Sequence, residues 1–184
     1  MQIIKLREAK YPVMAVLSTG EKLIIPKQSQ FSNTWLKSHG CSLMAEYIAL
    51  QFLGVKKLKI TRNTYGVWPV NLLKWHRKYT PNQVKSKVTV RGVARGINTI
   101  GKGAGKATYH RVVTAKGMSE ALEAGHMVIM EQADPIHTIA LLPDSEGVYM
   151  ASYGRVKEVS VKAIAKTATT NATYRGMVIV KKGV

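Results

Sequence analysis

The clearest hydrophobic pattern in the chain is the apolar run over residues 43–53, which predicts a buried helix. Met44, Ile48 and Phe52 recur at helical spacing within this run. A polar stretch containing a glycine precedes the run, and Gly54 follows it as a stop signal. We therefore expect a helix that begins near residue 41 and packs into the core.

Shorter segments on both sides of this helix predict strands and a few further helices. Strand-forming residues predict strands over residues 3–6, 11–17, 23–25, 88–90, 126–130, 137–142, 148–153, 156–161 and 174–181. Helical spacing and end signals predict helices over residues 69–76, 119–125 and 162–167. Residues 27–35 are expected to form a polar loop, residues 18–21, 134–135 and 143–147 form turns, and residues 55–60 fit either a strand or a loop. A helix near the N-terminus, a mixed middle and a C-terminal antiparallel sheet make an α+β fold, which we expect to be a single domain over residues 1–184.

The glycine-rich stretch over residues 92–105 predicts a flexible basic loop. A phosphate-binding loop needs a glycine, four residues and then Gly-Lys-Ser/Thr. Counting back from Gly105 and Lys106, the first glycine position holds Ile100, and the Ser/Thr position holds Ala107. We therefore expect any phosphate contact here to be unspecific.

The overall composition fits a globular protein without a membrane span. Hydrophobic residues make up 46% of the 184 residues, which is enough for a core. No apolar run approaches the roughly 18–20 residues that a membrane-spanning helix needs. The first residues lack the long apolar core of a signal peptide, so we expect synthesis in the cytoplasm without a visible export signal.

The positive charge of the chain is concentrated in its middle. The formal net charge is +18, and residues 54–119 contain fifteen basic residues but no Asp or Glu. We call residues 54–119 the basic segment and interpret it as an insertion or a partner-binding surface. Such a block attracts polyanions such as nucleic acid, an anionic cell wall or an acidic membrane surface, although a solvated basic face that aids solubility has the same composition. The cations that we expect to bind a polyanion are Lys56, Lys57, Lys59, Arg62, Lys102 and Lys106.

Cys41 is the only cysteine in the chain, and it stands where the predicted buried helix begins. A lone cysteine excludes an intrachain disulfide and a cysteine-rich zinc site. At a helix N-terminus the dipole and the unpaired N–H groups favour the nucleophilic thiolate. The alternative is that Cys41 is a small buried hydrophobic residue.

His137 is the histidine best placed to act as a base, because it follows a turn and begins an apolar strand. His39 is too close to Cys41 in sequence to meet its side chain well, and His126 is interpreted as a core or edge residue. His76 and His110 lie in basic surroundings, and we expect both to be solvated. No pair has the spacing of metal ligands, and no cofactor is expected.

Four segments together resemble the papain-like cysteine peptidases, specifically the branch of bacteriocin-processing (double-glycine leader) peptidases. The match spans about residues 24–155 and consists of Ser29-Gln30 before Trp35, residues 40–45 around the cysteine, residues 121–129, and residues 137–149. The resemblance implies a papain-like fold, in which a helix carrying the cysteine packs on an antiparallel sheet carrying the histidine.

The same resemblance implies roles for individual residues. Cys41 corresponds to the nucleophile and His137 to the general base. Gln30 corresponds to the donor that stabilises the oxyanion together with the backbone N–H of Cys41, with Gln28 as the alternative. The family usually has an Asp or Asn on the strand after the histidine, but Ser152 stands at about that position here. The catalytic set implied is therefore Cys41, His137, Gln30 and Ser152.

Two functions follow from these residues. The first is a cysteine peptidase or amide hydrolase that works through a thioester, with a peptide or peptidoglycan-like substrate. The second is a weakly active or inactive peptidase-like fold that binds nucleic acid or an anionic cell wall through the basic segment. The missing Asp or Asn and the acid-free composition favour the second function.

Overall fold

The structure, a computed structural model, describes residues 1–5, 13–85, 88–132, 136–168 and 176–183. Its strands are β1 (Gln2–Lys5), β2 (Val13–Val16), β3 (Lys22–Ile25), β4 (Lys57–Ile60), β5 (Asn63–Gly66), β6 (Gly105–His110), β7 (Met127–Gln132), β8 (His137–Asp144), β9 (Gly147–Ser152), β10 (Arg155–Glu158) and β11 (Met177–Lys182). Its helices are α1 (Thr34–His39), α2 (Cys41–Phe52), α3 (Pro69–Tyr79), α4 (Val90–Ile100), α5 (Ala115–Glu123) and α6 (Val161–Ala168). Short 3-10 turns occur at Gln28–Gln30 and Pro81–Val84.

The strands form one large and two small sheets, and every described strand pair is antiparallel. The large sheet has six strands in the order β10-β9-β8-β7-β11-β6. Strands β1 to β3 form a three-stranded sheet, and β4 and β5 form a hairpin. The α+β class predicted from the sequence is therefore confirmed.

The large sheet buries both of its faces, which explains the continuous apolar character of β7 and β8. Ile129 and Leu142 belong to a core shared with α2 and α4. Met130 and Leu141 point to the opposite face, where they pack in a second core with α5 and α6. Because successive strand residues alternate between faces, β7 and β8 each contribute to both cores. The central sheet is thus held between two layers of helices.

Helix α2 is the most buried helix and begins at Cys41, as the sequence predicts. Ten of its residues are buried. Gly40 precedes it at a close approach to α1, because a Cβ on Gly40 would lie 2.4 Å from the carbonyl oxygen of Leu36. Only glycine fits this junction without a shift of the backbone. The junction fixes where α2 starts and so where Cys41 lies.

The sequence prediction fails over residues 88–105. Instead of a strand at 88–90 and a flexible loop at 92–105, the chain forms α4 and then begins β6. Thr89 is the N-cap of α4, and its side chain accepts a hydrogen bond from the Gly92 backbone N–H at 3.1 Å. The β-branched residues on either side of Thr89 resemble a strand locally, but burial of the apolar face of α4 decides the outcome.

Several other boundaries differ from the prediction. The predicted loop over residues 27–35 contains a 3-10 turn and the start of α1, and the predicted strand over residues 156–161 ends at Glu158. The segment over residues 55–60, predicted as either a strand or a loop, contains strand β4 over its last four residues. The predicted turn at residues 134–135 and parts of the predicted strands at 3–6, 11–17 and 174–181 lie outside the described residues. Within the part of the chain that the structure describes, no helix is both long and apolar enough to cross a membrane.

Candidate active site

The first turn of α2 points Cys41 at the large sheet. Its Sγ lies 3.7 Å from Oγ1 of Thr138, at hydrogen-bond distance for a thiol donor. The neighbouring Ser42 is fully buried, and its Oγ lies 2.9 Å from the same Thr138 oxygen. The thiol in this structure is thus held by Thr138, a residue that the sequence analysis did not single out. Its position beside His137 was the only available signal.

The imidazole of His137 is buried at the start of β8 and bonds to Ser152 on β9. The distance from Nε2 of His137 to Oγ of Ser152 is 2.6 Å. His137 begins β8 and Ser152 ends β9, and these two strands are hydrogen-bonded neighbours in the large sheet. When Nε2–H donates to the serine oxygen, the lone pair of Nδ1 is left to accept a proton. The structure therefore brings together the two residues that the sequence analysis paired.

Burial lowers the pKa of His137 from its ordinary value of 6.5 to about 4. The cause is removal of the imidazolium from water, because burial penalises the charged form. At neutral pH the ring is therefore uncharged. An uncharged imidazole is the form that can take a proton from a thiol.

Tyr153 covers His137 from the solvent side. The two rings stack with their centroids 3.7 Å apart and their planes 8° apart. Tyr153 adopts a left-handed backbone conformation, with φ of 50°, in the turn between β9 and β10. Burial, followed by the charge of Cys41, raises the pKa of its phenol. Tyr153 was not predicted as a site residue, although a Tyr-Gly pair between two strands is a turn signal.

The turn that carries Tyr153 packs against the segment before α1. Gly154 follows Tyr153 with φ of 70°, and a Cβ there would lie 2.7 Å from the Cβ of Lys27. A side chain at Gly154 would therefore push the turn away from Lys27. The close approach fixes the Tyr153 ring relative to the two glutamines that follow Lys27.

The structure distinguishes between the two candidate glutamines. Gln28 borders the same cavities as Cys41 and His137, and its Nε2 donates to the Lys37 carbonyl at 2.7 Å. Gln30 does not border them, because its Oε1 instead accepts a hydrogen bond from the Lys27 backbone N–H at 3.0 Å. The geometry therefore favours Gln28, the alternative, over Gln30, the preferred candidate.

These side chains surround an open cleft of about 280 Å³. Its walls include Lys27, Gln28, Lys37, Cys41, His137 and Tyr153. Two of the described lining residues are lysines, and none is an Asp or Glu. Behind Cys41 the wall closes on an apolar void of only about 10 Å³. The thiol is therefore open on the lysine-bordered side and closed on the other.

His76 is not solvated, contrary to the sequence prediction. It is fully buried, and its Nε2 lies 2.7 Å from Oε2 of Glu46, which is also fully buried. Its Nδ1 lies 2.8 Å from Oγ1 of Thr80. The basic neighbours of His76 misled the prediction, because a helix can place one residue inward while its neighbours face water. The remaining histidines lie outside the cleft, and His39 packs near Trp35 with ring centroids 5.8 Å apart.

The six basic residues that we expect to bind a polyanion are all exposed. They are Lys56, Lys57, Lys59 and Arg62 around the β4–β5 hairpin, with Lys102 and Lys106 after α4. The described residues contain no group of three or more His, Cys, Asp or Glu side chains that could hold a metal ion. None of the six cations borders the cysteine cleft, so the charged surface and the cleft are separate features.

No protein-family model matches this chain, and no match was found among curated proteins.

Proposed function

We propose that this protein is a cysteine peptidase or related amide hydrolase with a papain-like arrangement of its site. The observation that carries the proposal is the meeting of Cys41, at the start of α2, with His137 in one cleft, where Ser152 holds the imidazole at 2.6 Å. Cys41 is far in sequence from His137 and Ser152, yet the fold brings a thiol, a buried imidazole and a hydroxyl together beside a solvent-accessible cleft.

The proposed reaction begins when Nδ1 of His137 takes the proton of the Cys41 thiol. The sulfur then attacks the substrate carbonyl carbon, and the C=O electrons move onto oxygen. Backbone N–H groups in the first turn of α2 lack intrahelical partners and can donate to this oxyanion, with Gln28 as the side-chain donor. The tetrahedral intermediate collapses as the imidazolium gives its proton to the leaving amine.

The remaining steps release the acyl group. A thioester then joins the substrate acyl group to Sγ of Cys41, and water attacks it with His137 again acting as base. The attack yields a carboxylic acid and returns the thiol. Ser152 accepts a hydrogen bond from Nε2 throughout and so keeps Nδ1 directed at the cleft. A hydroxyl stabilises the imidazolium less than a carboxylate does, so we expect slow turnover.

The first test is the rate of Cys41 alkylation by iodoacetamide between pH 4 and pH 10. We expect alkylation at pH 7 to be at least about tenfold slower in His137→Ala than in the wild type, since the base that removes the thiol proton is gone. His39→Ala is the matched control, because this histidine is close to Cys41 in sequence but outside the cleft. Equal rates in the wild type and His137→Ala at every pH would contradict the proposal.

The second test is hydrolysis itself. A quenched-fluorescence peptide library should be cleaved by the wild type, with cleavage lost in Cys41→Ala and reduced in Ser152→Ala. Cleavage that survives in Cys41→Ala would show that another group performs the chemistry.

A second candidate function is the binding of a polyanion through the basic segment. The observation that favours it is the exposure of all six selected cations, on a stretch of sequence without a carboxylate. Release of counterions would make such binding fall steeply with salt. Binding of a 20-nucleotide DNA duplex measured from 50 to 300 mM NaCl tests this function, and affinity independent of salt would exclude it. Cys41→Ala should leave this binding unchanged.

A further inference from the structure

A second and larger cavity lies away from the cysteine cleft, between the β4–β5 hairpin and helices α3 and α4. Its volume is about 730 Å³, and none of its lining residues belongs to the candidate active site. A cavity of this size is within the range that accommodates a small molecule or one unit of a polymer. The hairpin and both helices belong to the basic segment, whose function the hydrolase proposal leaves unexplained.

One side of this cavity is positively charged. Lys57, Lys59 and Arg95 border it, and all three are exposed at its rim. Every described lining residue lies within residues 57–100, where the sequence contains no Asp or Glu. Three cations without a carboxylate among them favour a ligand with more than one negative charge. The planar guanidinium of Arg95 is particularly suited to phosphate oxygens.

The other side of the cavity is aromatic and apolar. Trp75 and Tyr79 border it with ring centroids 5.3 Å apart, and Leu58 and Ile100 complete the wall. Tyr79 is 43% exposed, which leaves much of its ring open to a ligand. Its hydroxyl oxygen accepts a hydrogen bond from the Thr61 N–H at 2.7 Å. The ring is therefore positioned before a ligand arrives.

The floor of the cavity is held by a buried hydrogen-bonded chain. Thr80 borders the cavity, and its hydroxyl bonds to His76, which in turn bonds to Glu46 on α2. Gly96 allows α4 to approach this chain, since a Cβ there would lie 2.1 Å from Oε1 of Glu46. The three helices around the floor are thus locked together, and a preorganised cavity loses less entropy on binding.

We propose that this cavity binds a nucleoside phosphate, either as a free nucleotide or as one unit of a single-stranded nucleic acid. The base stacks against Tyr79 beside Trp75, and the phosphates lie against Lys57, Lys59 and Arg95. Nucleotides combine a planar ring and phosphate charge in one ligand, which matches the two sides of the cavity. An acidic peptide satisfies the cations but leaves the aromatic wall without a partner.

The experiment measures fluorescence anisotropy of fluorescein-labelled hexathymidylate at 50 mM NaCl, with unlabelled thymidine monophosphate and hexaglutamate as competitors. Competition by the monophosphate at concentrations similar to those of unlabelled hexathymidylate indicates a free-nucleotide site. Much weaker competition by the monophosphate indicates a strand-binding site. Hexaglutamate should compete at least about tenfold less well than hexathymidylate, because it lacks a ring to stack.

Charge variants test whether hexathymidylate binds in this cavity. Lys59→Ala/Arg95→Ala should weaken hexathymidylate binding at least about tenfold through loss of two phosphate contacts. Lys162→Ala/Arg111→Ala removes the same charge from exposed residues that do not border the cavity, and its effect should be below about twofold.

A second pair of variants tests the stacking itself. Tyr79→Leu should weaken binding about tenfold, since the base loses the aromatic ring on which it stacks. Tyr79→Phe keeps the ring and removes only the hydroxyl, so it should retain affinity within about threefold.

Either of two results would overturn the proposal: hexaglutamate that competes as well as hexathymidylate, or charge variants inside and outside the cavity with equal effects. Cys41→Ala should bind as the wild type does, so loss of the hydrolase proposal leaves this test intact. Thermal unfolding of each variant shows whether it remains folded. If Tyr79→Leu is unfolded, the affinity of Tyr79→Phe for hexathymidylate can still be measured.

Discussion

At the scale of single residues, Thr138 controls the position of the Cys41 thiol. Thr138→Val keeps the shape of the side chain but removes the oxygen that both Cys41 and Ser42 contact. We expect the free energy of unfolding to fall by about 1–2 kcal/mol, because the buried hydroxyl of Ser42 loses its partner. Urea unfolding followed by tryptophan fluorescence measures this change.

The control for this prediction is the double variant Ser42→Ala/Thr138→Val. Removing both hydroxyls leaves no unsatisfied group, so the double variant should be more stable than Thr138→Val alone. Alkylation of Cys41 should also be up to about threefold faster in Thr138→Val, since the thiol loses a competing acceptor. A Thr138→Val protein as stable as the wild type would show that this contact contributes little.

Tyr153 stacks on the His137 ring, and we expect it to exclude water from that face of the imidazole. Because burial is the cause of its low pKa, Tyr153→Ala should raise the pKa of His137 from about 4 towards 6.5, whereas Tyr153→Phe should leave it low. NMR titration of the imidazole Cε1–H signal measures this. A pKa unchanged in Tyr153→Ala would show that the sheet, and not the tyrosine, excludes water.

The same shift in pKa makes stability depend on pH with a definite sign. The folded-state pKa of His137 lies below its unfolded value, so the unfolded state binds more protons between pH 6.5 and pH 4. The contribution of His137 to stability is therefore full above pH 6.5 and declines as the pH falls through this window. In Tyr153→Ala the decline should be smaller, and urea unfolding at pH 7 and pH 4.5 compares the two proteins.

Lys27 and Lys37 should give the cleft a preference for anions. Iodoacetate and iodoacetamide alkylate a thiolate by the same displacement of iodide but differ in charge. Lys27→Ala/Lys37→Ala should lower the ratio of the iodoacetate rate to the iodoacetamide rate about fivefold at low salt, since each nearby charge contributes about 1 kcal/mol or less. Lys22→Ala/Lys157→Ala is the control, because these exposed lysines do not border the cleft. If both double variants changed the ratio of the two alkylation rates equally, the preference for the anionic reagent would come from net charge alone.

At the scale of elements, Gly96 permits the packing of α4 against α2. Alanine normally stabilises a helix interior relative to glycine by about 1 kcal/mol. Gly96→Ala should instead destabilise the protein by about 1–3 kcal/mol, because the added Cβ collides with the buried Glu46 carboxylate. Urea unfolding tests this. Gly117→Ala in α5 is the control, since its nearest contacts are side-chain ends at 3.0 and 3.2 Å.

The elements that carry the proposed chemistry were predictable because each has a strong local signal. Helix α2 combines apolar periodicity with clear end signals, and β8 is a continuous apolar segment between turns. Helix α4 was missed because its glycines and β-branched residues argue against a helix locally. Its apolar residues are buried only when α2 and the large sheet are present. Local preferences do not contain that information.

Some features of the site could not be predicted from local sequence. The pairing of Glu46 with His76 and the stacking of Tyr153 on His137 both depend on the folded arrangement of distant segments. The choice between Gln28 and Gln30 turns on which face of a single 3-10 turn points at the cleft. The contact of His137 with Ser152 was expected only from the family resemblance, which places the residue that orients the imidazole on the strand after the histidine.

At the scale of the whole molecule, the two faces of the large sheet have different roles. One face, shared with α2 and α4, supports both the cysteine cleft and the floor of the cavity between the β4–β5 hairpin and helices α3 and α4, here called the basic cavity. The opposite face packs on α5 and α6 and borders neither site. A ligand in the basic cavity therefore contacts helices that also pack on α2, which begins at Cys41.

The strand order of the large sheet also has a consequence for synthesis on the ribosome. Strand β11, the last described strand in the chain, lies between β7 and β6 and bonds to both. Strands β7 to β10 leave the ribosome earlier, but they cannot join β6 until residues 177–182 emerge. Chains stalled before residue 177 should therefore be cleaved rapidly by added protease, and chains in which a long linker follows residue 183 should resist it. The cysteine and its histidine would thus be kept from forming a stable site until residues 177–182 have left the ribosome.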